Sequence, residues 1–143
     1  VFFPVIFRSG AVRVSLTFGT PAPINSDNEY EAVGCRCYVE AGECTMNLQI
    51  YFLPDHIKRV GIYYREIHDS YAGSTLLKSL EEELALVITV RPSRQILLSG
   101  TVDSDYGSDP AIRLEFESST PSDSHQETLD QLDNLLCILY PGA

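Results

Sequence analysis

Met46-Asn-Leu-Gln-Ile-Tyr-Phe-Leu-Pro-Asp-His-Ile-Lys-Arg-Val-Gly-Ile-Tyr-Tyr-Arg-Glu-Ile67 changes its hydrophobic period halfway along. Met46, Leu48, Ile50 and Phe52 alternate with Thr45, Asn47, Gln49 and Tyr51, the period of two of a half-buried strand. Beyond Leu53-Pro54-Asp55 the apolar positions are Ile57, Val60, Tyr64 and Ile67, spaced by three and four. That spacing makes one apolar stripe on a helix. Pro suits its first turn and Asp55 suits the positive end of its dipole. The helix is expected to run to about Asp69, where Tyr71-Ala72-Gly73 breaks it.

Upstream, Tyr30 to Phe52 reads as a hairpin, with Cys35, Cys37 and Val39 on one face and Ala41-Gly42 between the arms. Val12, Val14, Leu16 and Phe18 mark an earlier strand, and residues 19–28 a loop rich in turn formers. The apolar segment Val1 to Phe7 reads as a first strand or a flank, without the basic start and small-residue cleavage site of a signal peptide. Downstream, strands are expected at Ser74–Leu80, Leu84–Val90, Ile96–Val102 and Ile112–Phe116. Arg91-Pro92-Ser93-Arg94 turns between the second and third, and Asp103–Pro110 is a polar loop. Ser118–Ser124 reads as another loop, ending in small polar residues that suit an N-cap. A last helix from about His125 to Tyr140 carries Leu129, Leu132, Leu135, Leu136 and Leu139 on its core face, and Pro141-Gly142 ends it. The order strands–helix–strands–helix predicts a single α+β domain over 1–143, mostly antiparallel sheet with two packed helices.

The 143 residues include 20 Asp+Glu and 10 Lys+Arg, a net charge of −10. Nucleic acid and anionic membrane surfaces are therefore not expected as direct partners, since both need clustered cations. The acid is spread over the central hairpin, the Glu81–Glu83 turn, the Asp103–Asp109 loop and the last helix, which makes an acidic folded surface and not an acidic tail. Cys35, Cys37, Cys44 and Cys137 lack a zinc spacing, and a chain of this length does not need disulfide staples. They are expected to be reduced thiols of the core in a cytoplasmic protein.

No nucleophile or metal-protease signature is present. His56, His68 and His125 fall at helix ends, where histidine is usually solvated or a cap. Asp103-Ser-Asp105-Tyr-Gly107-Ser-Asp109 places alternate carboxylates around a glycine, as calcium loops do. Pro110-Ala111-Ile112 follows in place of a closing Glu, so a polar interstrand turn explains the stretch better. No cofactor or metal is expected. Candidate partner-binding residues are Asp103, Asp105, Asp109, Glu81, Glu82, Glu83 and Tyr63, the last because it lies off the apolar stripe and Tyr is enriched at interface hot spots.

The stretch Asn47 to Ile67 is followed by Tyr71-Ala-Gly-Ser-Thr-Leu, Glu82-Glu-Leu-Ala-Leu-Val-Ile-Thr-Val, Gln95-Ile-Leu-Leu-Ser-Gly-Thr-Val and Ile112-Arg-Leu-Glu-Phe-Glu. With Thr128-Leu-Asp-Gln-Leu-Asp-Asn-Leu-Leu leading to Tyr140-Pro141, this layout resembles the WapI family of bacterial immunity proteins. The resemblance spans about Val12 to Pro141 and implies a small cytoplasmic, non-enzymatic partner that neutralises a toxin domain. An acidic surface suits that role where the toxin is basic, as a nuclease often is. Two other classes fit the composition: a small enzyme or ligand-binding module with a dispersed site, and a structural homodimer that buries a strand edge.

Overall fold

The computed structural model describes residues 2–19, 21–104, 113–121 and 125–142. Strands β1 (Phe2–Ser9), β2 (Val12–Gly19), β3 (Val33–Ala41) and β4 (Cys44–Phe52) form one antiparallel sheet in chain order. Helix α1 (Pro54–Ser70) follows. A second antiparallel meander, β5 (Gly73–Lys78), β6 (Leu84–Val90), β7 (Gln95–Asp103) and β8 (Arg113–Pro121), leads to helix α2 (Gln126–Leu139). The expected α+β order is the observed one, and the segment before Phe7 is a full strand paired from Phe2↔Gly19 to Ser9↔Val12. No helix among the described residues is long and apolar enough to cross a membrane.

The period of two is visible in the burial. Val5 and Phe7, then Val14, Leu16 and Phe18, then Cys35, Cys37 and Val39, then Leu48, Ile50 and Phe52 line the inner face of the first sheet. Leu84, Leu86, Ile88 and Val90 with Ile96, Leu98 and Val102 do the same in the second. Both inner faces share one core with Ile57, Val60, Tyr64 and Ile67 of α1 and Leu129, Leu132, Leu135 and Leu139 of α2. Leu136, expected on the core face, is only partly buried because it turns toward α1. There a Cβ at Gly61 would stand 2.9 Å from its Cδ1, so the missing side chain sets how closely the helices approach. The helices run antiparallel: Tyr140 Oη donates to Asp55 Oδ1 at one end (2.9 Å), and Arg65 pairs with Asp133 toward the other.

Each helix packs against the first strand of the other half, α1 on β5 and α2 on β1. β1 is a sheet edge, and unpaired edge groups invite further pairing. Gln131 Oε1 accepts from the Ile6 amide (2.8 Å), Thr128 Oγ1 donates to the Ile6 carbonyl (2.5 Å) and His125 Nε2 bonds the Arg8 carbonyl (2.8 Å). Even-numbered residues of β1 therefore turn their backbone polar groups away from β2. Pro4 belongs to that set and has no amide to satisfy.

Three readings of the sequence need correction. Ser118–Pro121 is strand and not loop, because pairing from Ser118↔Leu98 to Pro121↔Gln95 overrides the turn-like composition. The N-cap of α2 is His125, and its side chain does not cap the helix. It is wholly buried instead of solvated. The four cysteines are free, but only Cys35 and Cys37 belong to the core; Cys44 and Cys137 are exposed. Burial pushes the Cys37 thiol up to about 12, with the Glu83 carboxylate adding to it, and pushes Cys35 up as well, with Cys37 adding. Neither core thiol is a thiolate nucleophile at neutral pH.

Candidate partner-binding site

The connection between β5 and β6 is built around Ser79, which is 1% exposed. Its amide donates to the Leu84 carbonyl (3.0 Å), while its Oγ accepts from the Leu84 amide (3.1 Å) and donates to Glu83 Oε1 (2.8 Å). Ser79 thus closes the turn and orients Glu83. The Glu82 amide donates to the Ser79 carbonyl (3.0 Å), and Glu82 sits at φ 61, a left-handed conformation that costs a residue with a Cβ roughly 1–2 kcal/mol. Glu81 and Glu82 are exposed and Glu83 is half-buried.

The antiparallel register carries Asp103 to the same place. Leu84 pairs with Val102, and the Asp103 amide donates to the Glu83 carbonyl (2.7 Å), so the end of β7 lies against the turn. Glu81, Glu82, Glu83 and Asp103 are thereby gathered at one end of the second sheet. Lys78 Nζ meets Glu82 Oε1 (3.0 Å) and Arg113 Nε meets Asp103 Oδ1 (3.2 Å), both pairs well exposed. Two cations against four carboxylates leave this end negative among the described residues. Exposed pairs of this kind add little stability, and the excess negative charge stays at the surface. Asp105 and Asp109 lie outside the described residues. Among the described residues no group of three or more His, Cys, Asp or Glu is arranged to hold a metal ion.

Tyr63 is not part of this cluster. It is 45% exposed on α1, and its hydroxyl lies 3.8 Å from where a Cβ on Gly73 would stand, at the start of β5. The acidic turn follows the other end of that six-residue strand, roughly 17–20 Å away at the usual rise. The start of β5 follows Tyr71, the left-handed C-cap of α1 (φ 57), over whose ring the Arg94 guanidinium stacks at 4.8 Å.

Residues that composition did not single out flank the acid. Leu80 precedes Glu81, and its amide donates to the Tyr51 carbonyl at the edge of β4 (2.8 Å). The Lys78 amide donates to His56 Nε2 in the first turn of α1 (3.2 Å). Burial holds the His56 imidazole below its usual range, helped by Arg59 and Lys78, which keeps Nε2 available as an acceptor. Ser79 carried no sequence signal, since its role depends on a bond to Leu84 across the turn.

The buried histidine is structural. The Arg8 carbonyl can only accept, so His125 Nε2 carries the proton and Nδ1 accepts from the Tyr64 hydroxyl. Burial, opposed by the Arg8 hydrogen bond and assisted by His68, lowers His125 to about 4. Both ring nitrogens are committed, and the side chain is sealed from substrate. A surface recess of about 240 Å³ under the β2–β3 connection is lined by Pro21, Ala22, Ile24 and Asn28, with Glu31 as its one carboxylate. It does not gather the convergent polar groups that a dispersed active site needs.

Compared with protein-family models, with curated proteins and with solved structures, the chain finds no match in any of the three.

Proposed function

We propose that this chain is a non-enzymatic immunity-type protein of the WapI kind, acting in the cytoplasm by binding and neutralising a basic toxin domain. The observation that carries the reading is the gathering of Glu81, Glu82, Glu83 and Asp103 at one end of the second sheet, on backbone held by Ser79 and by the Asp103–Glu83 hydrogen bond. A carboxylate cluster fixed in this way reproduces the charge of a phosphate substrate and steers a cationic nuclease or similar domain toward it. The net charge of −10 acts in the same direction. The commitment of His125 to Arg8 and Tyr64 favours binding over catalysis.

The deciding experiment is a search of the neighbouring genes for a toxin domain, its co-expression with this chain, co-purification and stopped-flow association. The expected result is a stable complex whose association rate falls at least about tenfold between low and high salt. Absence of a complex overturns the immunity reading, and a salt-insensitive rate overturns the electrostatic part of it. The strand-edge homodimer is disfavoured at β1, whose outward groups at Ile6 and Arg8 are already bonded to α2.

A further inference from the structure

The acidic turn has an apolar flank that the fold leaves uncovered. Leu80 is 48% exposed, Tyr51 48% and Leu53 42%. They are neighbours: the Leu80 amide is bonded to the Tyr51 carbonyl, and Leu53 follows two residues later as the N-cap of α1. The flank is also held in place. The Lys78–His56 bond ties the end of β5 to the first turn of α1. The Tyr51 ring lies over Gly34 of β3, where an added Cβ would stand 3.0 Å from its Cε1. Large apolar side chains on fixed backbone, next to charge, have the anatomy of an interface centre with a polar rim.

Resting on the reading of this turn as the contact for a basic partner, we infer that Leu80, Tyr51 and Leu53 form the anchor of that contact. The occupant is a cationic protein surface with an apolar patch ringed by Lys or Arg. Leu80 and Tyr51 pack on that patch while Glu81, Glu82 and Asp103 meet the surrounding cations. Charge decides the occupant. A two-fold contact with a second copy through this patch would bring Glu81–Glu83 toward their own equivalents, on a molecule that already carries −10. An anionic lipid surface is repelled for the same reason. The two parts have separate duties: the carboxylates set the rate of encounter, and the apolar flank sets the lifetime.

The test uses the full chain, labelled with nitrogen-15, and two synthetic peptides of equal positive charge: an amphipathic Lys/Leu peptide and an oligolysine. The Lys/Leu peptide is expected to shift the amides of Tyr51, Leu53 and Leu80–Glu83 and to bind at least about tenfold tighter than oligolysine. Leu80→Ser and Tyr51→Ser should each weaken it on the order of tenfold without altering its salt dependence. The double variant Glu81→Gln/Glu82→Gln should weaken it and flatten that dependence. Leu80 and Tyr51 are half-exposed, so equal urea midpoints check that the variants fold. Any of four results overturns the inference: no binding of the Lys/Leu peptide, equal affinity for oligolysine, shifts centred on Tyr63 or Ile62, or indifference to both Ser variants. Sedimentation of the chain alone as a dimer that Leu80→Ser dissolves would give the patch to a second copy and overturn it equally. Because the peptides need no toxin, failure to capture a toxin counts against the immunity reading and leaves this measurement to decide the anchor.

Discussion

The two seams between the halves of the molecule make an informative contrast. At one, α2 lies along β1 and covers its free edge with His125, Thr128 and Gln131; at the other, α1 meets the end of β5 through His56. Both use a histidine near the start of a helix to bond a strand's backbone, but in opposite senses. His125 donates to a carbonyl from a fully buried position, whereas His56 accepts from an amide at a partly exposed one. The first seam is anchored by the buried side chains of His125 and Thr128, whose polar atoms are expensive to leave unpaired. The second stays within reach of solvent beside Leu80 and the acidic turn, where charge and apolar surface are exposed. The same device therefore secures a buried seam at one end and an exposed one at the other.

The contrast breaks most sharply at His125. His125→Ala removes the partner of the Arg8 carbonyl and of the Tyr64 hydroxyl and leaves a cavity in the core. The expected loss is about 3–5 kcal/mol of unfolding free energy, read as a lower urea midpoint with an unchanged slope. A loss under about 1 kcal/mol would mean that water reaches the α2–β1 seam, and the two seams would then be alike.

Acid should act on the same residue. Its folded value of about 4 lies below the unfolded value of 6.5, so the unfolded chain binds the proton more readily. The contribution is complete above about pH 6.5 and is lost as the pH falls toward 4, by at most about 3 kcal/mol. Protonation would turn Nδ1 from acceptor to donor, reversing its bond to the Tyr64 hydroxyl, and would place a charge in a buried site beside Tyr64 and near His68. Unfolding free energy measured between pH 7 and 5 should fall in the natural chain. It should fall less in His125→Gln, which has no proton to gain there, the remainder coming in part from His56, also held below its usual range. Equal slopes would assign the acid sensitivity to other groups.

How much of this was legible beforehand follows from how local each cause is. The change of period at Leu53-Pro54 is written in neighbouring residues, so the strand, the helix and the buried Ile57, Val60, Tyr64 and Ile67 could be read directly. The grouping of Glu81–Glu83 with Asp103 was half legible: both stretches stood out as acidic, but only the register of β6 on β7 places them together. Tyr63 looked eligible by exposure, and topology sent it to the far end of β5. His125 was misread because its partners, Tyr64 and Arg8, lie 61 and 117 residues away. Ser118–Pro121 was misread because a partner strand, and not propensity, makes it a strand.

Within the α2–β1 seam, the shape-conserving change Thr128→Val isolates one hydrogen bond. It keeps the buried branched side chain and removes only the donor to the Ile6 carbonyl. The expected cost is about 1 kcal/mol, with faster hydrogen exchange at amides of β1 relative to those of β3. If exchange accelerated equally in both strands, α2 would be stabilising the whole first sheet and not specifically its edge.

The smallest expected effect lies at the other seam and tests the contrast from the opposite side. His56→Ala deletes the acceptor of the Lys78 amide, but at a partly exposed position where water can take over the bond. The unfolding free energy should change by less than about 1 kcal/mol. The change should be local: exchange at Lys78 should quicken while the Ile6 amide, held by Gln131, keeps its protection. Because that bond ties β5 to α1 beside Leu80, the variant should also loosen the geometry of the apolar flank and shorten the lifetime of a partner complex more than it slows encounter. A large loss of stability would place the second seam in the core with the first. An unchanged lifetime would mean that the Leu80–Tyr51 bond alone is enough to hold the flank.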